Sequence, residues 1–114
     1  MAVEDITILV ERLEAFEDRL GVRIEALSAD FNYDADDGEA TLTVRGELHP
    51  QSGTELQQDV ELVVAAYDSS SRIVGTESHY FEMAGFFGLE VFEIVTFVHV
   101  KNLSRIRVYP KRQG

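Results

Sequence analysis

The stretch VELVVAAYDSSSRIVGTESHYF, residues 60 to 81, decides how the chain is read. Val60, Leu62, Val64 and Ala66 alternate with Glu61, Val63, Ala65 and Tyr67. Asp68-Ser69-Ser70-Ser71 then supplies turn residues before a second strand-forming run, Ile73 to Phe81. Two such runs around a polar turn specify an antiparallel hairpin. Both faces of the first run are fairly apolar, which predicts a central strand covered on each side.

Working toward the N-terminus, the segment His49 to Gln58 is polar and carries Pro50 and Ser52-Gly53, so it reads as a connection between strands that need not be neighbours. Before it, Leu42, Val44 and Leu48 alternate with Thr41, Thr43, Arg45 and Glu47, and earlier Leu27, Ala29, Phe31 and Tyr33 share one parity. Between these strands Asp34, Asp36, Asp37 and Glu39 surround Gly38; an Asp-Gly step is a hairpin signal. Ile6, Leu9, Leu13, Phe16 and Leu20 are spaced by three and four, the stripe of an amphipathic helix, with Asp5 as its cap and Gly21 as its stop. This stripe either packs on the edge or open end of the β domain or, read as heptads, makes a seam for self-association with Arg12 and Glu17 pairing between parallel helices.

Toward the C-terminus, Phe86 to Val100 predicts a long strand with Phe92, Ile94 and Val98 on one parity and Val91, Val95 and Phe97 on the other. Ile106 to Tyr109 predicts a last strand ending at Pro110. The expectation is therefore an antiparallel β-sandwich of immunoglobulin-like type with six or seven strands. An N-terminal helix (1–21) precedes the sandwich domain (22–110), and a basic tail (111–114) follows it.

Val64-Ala65-Ala66-Tyr67-Asp68, the turn, Ile73-Val74-Gly75-Thr76 and Phe92-Glu93-Ile94 resemble the bacterial FxLYD family of immunoglobulin-like modules over about residues 40 to 109. Val64 stands in place of the name-giving Phe, and Ser70 or Ser71 where the turn usually has Gly. The resemblance implies a sandwich used for interaction or spacing, without catalytic residues.

The net charge of −11 argues against nucleic acid, whose phosphates draw affinity from Lys and Arg. Residues 1 to 57 hold 14 acidic and 4 basic side chains, whereas residues 101 to 114 hold Lys101, Arg105, Arg107, Lys111 and Arg112 and no acid. The basic strand is expected to lie beside acidic neighbours in the same fold. No apolar run is long enough for a membrane span, and the acidic N-terminus lacks the bases of a secretion signal. As given the chain reads as cytoplasmic, exported only as a processed fragment. With no cysteine, thiolate metal sites are absent.

For chemistry, Asp34, Asp36, Asp37 and Glu39 are candidate Ca²⁺ ligands, though their spacing is not that of an EF-hand. Glu77 and His79 share a strand face without a third ligand, His49 and His99 stand apart, and Ser69 to Ser71 lack a nucleophile elbow. No cofactor is expected, and enzyme activity is not. Tyr33, Tyr67, Tyr80 and Phe81 are candidates for a carbohydrate face. In the glycine-punctuated loop Met83 to Leu89, Phe86 and Phe87 either close the core or meet a protein partner. The expected function is a structural or protein-interaction module; the alternative is a ligand-binding module for Ca²⁺ or carbohydrate.

Overall fold

The computed structural model describes residues 3 to 112. In chain order they form β1 (Val3–Asp5), a 3-10 turn (Thr7–Leu9), β2 (Val10–Arg12), α1 (Glu14–Leu20), β3 (Val22–Asp34), β4 (Glu39–Pro50), β5 (Val60–Tyr67), β6 (Ile73–Phe81), β7 (Glu90–Val98) and β8 (Arg105–Arg112). The protein is mostly β. One four-stranded sheet has the order β1-β3-β4-β7 and the other β2-β8-β5-β6. Each expected strand from Val22 onward is present, and the hairpins turn at Asp34–Glu39 and Asp68–Arg72 as the sequence predicts.

Eight strands replace the expected six or seven, and the extra two come from the segment read as helix. Only Glu14–Leu20 of the run Ile6 to Leu20 is α-helical, and Thr7–Leu9 makes a single 3-10 turn. Asp5 does not cap a helix; its carboxylate accepts the amide (2.9 Å) and hydroxyl (2.6 Å) of Thr7 and tightens a local turn. Thr7, Ile8 and Val10 are β-branched and lose rotamer freedom in an α-helix, while sheet edges lie close enough to pair with Val3–Asp5 and Val10–Arg12 on either side of the 3-10 turn. β1 takes the edge of β3 antiparallel, and β2 takes the edge of β8 in parallel, so the arrangement is not wholly antiparallel. A lone helix of this length has little stability of its own, and tertiary pairing overrides the three-four spacing. Gly21 does stop the helix: at φ +70° it donates its amide to the Asp18 carbonyl. The segment from Val3 to Arg12 thus contributes a strand to each sheet. At the other end Lys111 and Arg112 belong to β8, and residues 113 and 114 of the expected tail lie outside the described part.

The inner faces enclose one apolar core, with Ile24, Leu42, Val44 and Leu48 from the first sheet against Leu62, Val64, Ile106 and Val108 from the second. Phe81 meets Phe86 and Phe92 edge-to-face at centroid separations of 6.4 and 6.2 Å, a geometry that aromatic quadrupoles favour. Two glycines permit this packing. A Cβ at Gly46 would stand 2.7 Å from Phe92 Cζ, and one at Gly75 would stand 2.7 Å from Val98 Cγ1, where β6 and β7 approach across the layers.

β3 carries a bulge: Glu25 pairs with Glu47 and Ser28 with Arg45, leaving Ala26 and Leu27 opposite Gly46, with Ala26 at φ +57°. Val22 and Ile24 point inward before it, Ala29 and Phe31 after it. The extra residue reverses the parity.

The two apolar faces of β5 predict a cover on each side, but the helix does not lie over its outer face. It packs against β8 and β3. The outer residues of β5 are instead half-covered by neighbouring side chains, with Tyr67 beneath the Arg105 and Arg107 guanidiniums and Glu61 beside Lys111. What fixes α1 is Glu17, buried to 2 % exposure. Its carboxylate accepts two bonds from Arg12, at 2.7 and 3.0 Å, and the Ile24 amide at 3.1 Å. The Arg12–Glu17 pair read as a contact between helices lies within one chain. These charge-assisted bonds hold the Arg12 guanidinium above its ordinary pKa, the Glu17 bond being the largest cause.

Candidate functional site

The structure separates the residues expected to bind ligands. In the Asp34–Glu39 turn, Asp34 accepts the Asp36 amide and Asp37 accepts the Glu39 amide, each at 2.9 Å, while Gly38 takes φ +70°. Those carboxylates close their own turn, and the four acids do not converge as a donor group. Glu77 accepts the Ser78 amide, and His79 lies against the Phe81 ring. The aromatic candidates share no platform: Phe81 is core, Tyr33 is half-buried, and Tyr67 and Tyr80 lie at opposite ends of the β5–β6 hairpin. Among the described residues, donors do converge at Glu25, Glu47 and His49, whose ligand atoms all lie within 4.8 Å of one another. Sequence spacing could not find this trio, because Glu25 reaches the other two only through the β3–β4 register.

The partner-binding candidates also divide. Ile6 and Leu20 are buried in the core, Leu9 and Leu13 are half-buried, and Phe16 is partly exposed with its ring edge-on to Tyr109 at 5.5 Å. They form no continuous helical seam. Phe86 closes one end of the core, whereas its neighbour Phe87 is 76 % exposed. Leu89 follows it, and on the outward parity of β7 stand Val91 at 72 % and Phe97 at 64 % exposure, with Glu93 and half-buried Val95 between them, a set the sequence did not single out. β7 pairs with β4 on one side and is the terminal strand of its sheet. Between Glu90 and Val98 it has no proline, lysine or bulge, and its one outward charge, Glu93 between Val91 and Val95, is paired with Arg45 of β4. Two apolar parities were visible in the sequence; which strand lies at an edge was not.

A cleft of about 360 Å³ lies between α1 and the end of β8, lined by Phe16, Arg19, Leu20, Pro110, Lys111 and Arg112. Its polar side chains are the cations Arg19, Lys111 and Arg112, of which Lys111 pairs with Glu61. The basic strand finds acidic neighbours in its own fold, as expected. Glu11 pairs with Arg107 at 3.1 Å and with Arg105 at 3.5 Å, and Glu61 with Lys111 at 3.6 Å. The bond to Glu11 is the main cause that raises the Arg107 pKa. Among the described residues, no helix is long and apolar enough to cross a membrane.

Compared with known proteins, the chain matches no family model and no curated protein. Among solved structures it is similar to a beta-glucuronidase from glycoside hydrolase family 2, at 12 % identity and a TM-score of 0.46. The similarity covers 83 % of this chain and spans 11 % of the length of that one.

Proposed function

We propose that the chain is a non-enzymatic module of immunoglobulin-like fold that works by binding another protein, through the outward edge of β7. The fold reading is supported by strand order. Immunoglobulin-like sandwiches keep strands A, B and E in one sheet and C and F in the other. Naming β3, β4, β5, β7 and β8 as A, B, C, E and F reproduces that division, with β2 beside F where strand G would stand. Ser71 at φ +62° is also consistent with the FxLYD-like turn, since glycine tolerates that conformation best.

The observation that carries the functional reading is the exposure of Val91 and Phe97 on an edge strand without proline, lysine or bulge, whose outward Glu93 is neutralised by Arg45, together with exposed Phe87 and Leu89 just before it in the chain. Such an edge suits an extended partner segment that adds as a further strand, its backbone continuing the ladder and its apolar side chains meeting Val91 and Phe97. A displayed library of short random peptides tests this. Selected peptides should alternate apolar residues, shift the amide resonances of Glu90 to Val98, and lose binding to the Val91→Lys variant. No enrichment, or binders that map to another strand, would overturn the assignment.

A further inference from the structure

We propose that Glu25, Glu47 and His49 form a binding site for a divalent cation of the zinc class, on the outer face of the first sheet. The β3–β4 register sets Glu25 directly opposite Glu47, and His49 follows two residues later on the same face of β4. Two carboxylates facing each other across antiparallel strands repel, so this position favours a cation between them. His49 Nε2 lies 2.9 Å from Glu47 Oε1, and all three donors are within 4.8 Å of one another. Donors on a tetrahedral zinc stand about 3.4 Å apart, so side-chain rotation alone brings the set to ligand distance.

The donor chemistry selects the metal. One imidazole and two carboxylates match zinc and its neighbours, whereas calcium and magnesium prefer shells made wholly of oxygen. Three protein ligands leave the fourth position to solvent. The groups around the set are Arg23, which pairs with Glu25, and Arg12, whose charge also reaches that carboxylate. Arg23 is also the competitor that zinc must displace.

Isothermal titration of the full chain with zinc chloride, after removal of metal by a chelator, is the test. The expected result is one equivalent bound with about micromolar affinity and a melting temperature that rises with zinc. His49→Gln and Glu47→Gln should each weaken binding by at least about tenfold, since even outer-shell changes cost that much. Arg23→Gln should bind several-fold more tightly because the competitor is gone, and His79→Gln and His99→Gln should bind as the parent does. Melting each variant without zinc shows that it is folded. The proposal is overturned if no saturable heat appears, if His49→Gln binds unchanged, or if loss of His79 or His99 removes binding.

Discussion

The hairpin β5–β6 and the segment Val3–Leu20 are of similar length, yet they are held by different means. In the hairpin, Val60, Leu62, Val64, Ala66 and Phe81 are all buried, and no single contact carries the assembly. The N-terminal segment buries Ile6, Glu17 and Leu20 and, beyond the short ladders of β1 on β3 and β2 on β8, relies on a few polar contacts. These are the Ile6 amide on the Ala29 carbonyl, Asp5 on Thr7, Glu17 between Arg12 and Ile24, and Glu11 against Arg105 and Arg107. A strand read by alternation needs only burial to form. A segment that splits between two sheets needs particular partners.

The largest effect should come from the hairpin. Phe81→Ala removes a ring at 1 % exposure that touches Phe86 and Phe92, leaving a cavity that the rigid sheets cannot close. The expected loss is about 4 kcal/mol of unfolding free energy, measured by urea titration. A loss below about 1 kcal/mol would mean that the end of the core is loosely packed, and the contrast between the two regions would fail there.

Arg12→Ala comes next and probes the other region. It strands the Glu17 carboxylate, which is buried and keeps only the Ile24 amide. The expected cost is about 3 kcal/mol, because an ion buried without its partner is expensive. Glu17→Gln combined with Arg12→Ala should cost much less than the sum of the two single changes, the signature of a coupled pair. Additive costs would show that α1 is held by Leu20 and Phe16 packing, and that polar contacts do not distinguish the segment.

The same contrast explains how much of the molecule was legible beforehand. Alternation located β3 to β8, because period two is written by neighbours in sequence and both turns carry Asp with Gly or Ser. β1 and β2 were misread because the three-four spacing of Ile6, Leu9, Leu13, Phe16 and Leu20 is a true periodicity that the sheet edges overrule. The bulge did leave a trace, since Val22 and Ile24 lie on the opposite parity from Ala29 and Phe31. The acidic loop drew attention as a metal site because its carboxylates are close in sequence, yet they serve the turn's own amides. Glu25 lies 22 residues from Glu47, and only strand register brings them face to face. Likewise β7 shows apolar residues on both parities, but its place at the end of a sheet is a property of topology.

Acid titration should give the smallest effect, and it bears on both regions at once. Asp68 in the hairpin turn is held below its ordinary pKa of 3.8, chiefly by the Arg72 amide, and Asp5 in the N-terminal segment chiefly by the Thr7 hydroxyl. A carboxyl lowered in the folded state binds its proton more readily once unfolded. Its contribution to stability is therefore complete above the ordinary value and is lost as the pH falls through the folded one. Melting temperature should fall as the pH drops below about 4. Asp68→Asn and Asp5→Asn should each lower the melting temperature slightly at neutral pH and make the acid slope shallower. Because the Asp68 turn joins two strands buried along their length, while the Asp5 turn precedes a segment with few buried side chains, only Asp5→Asn should also speed amide exchange at Ile6 and Leu9. Equal exchange in both variants would show that the N-terminal segment opens only with the whole molecule, and that the two regions share one cooperative unit.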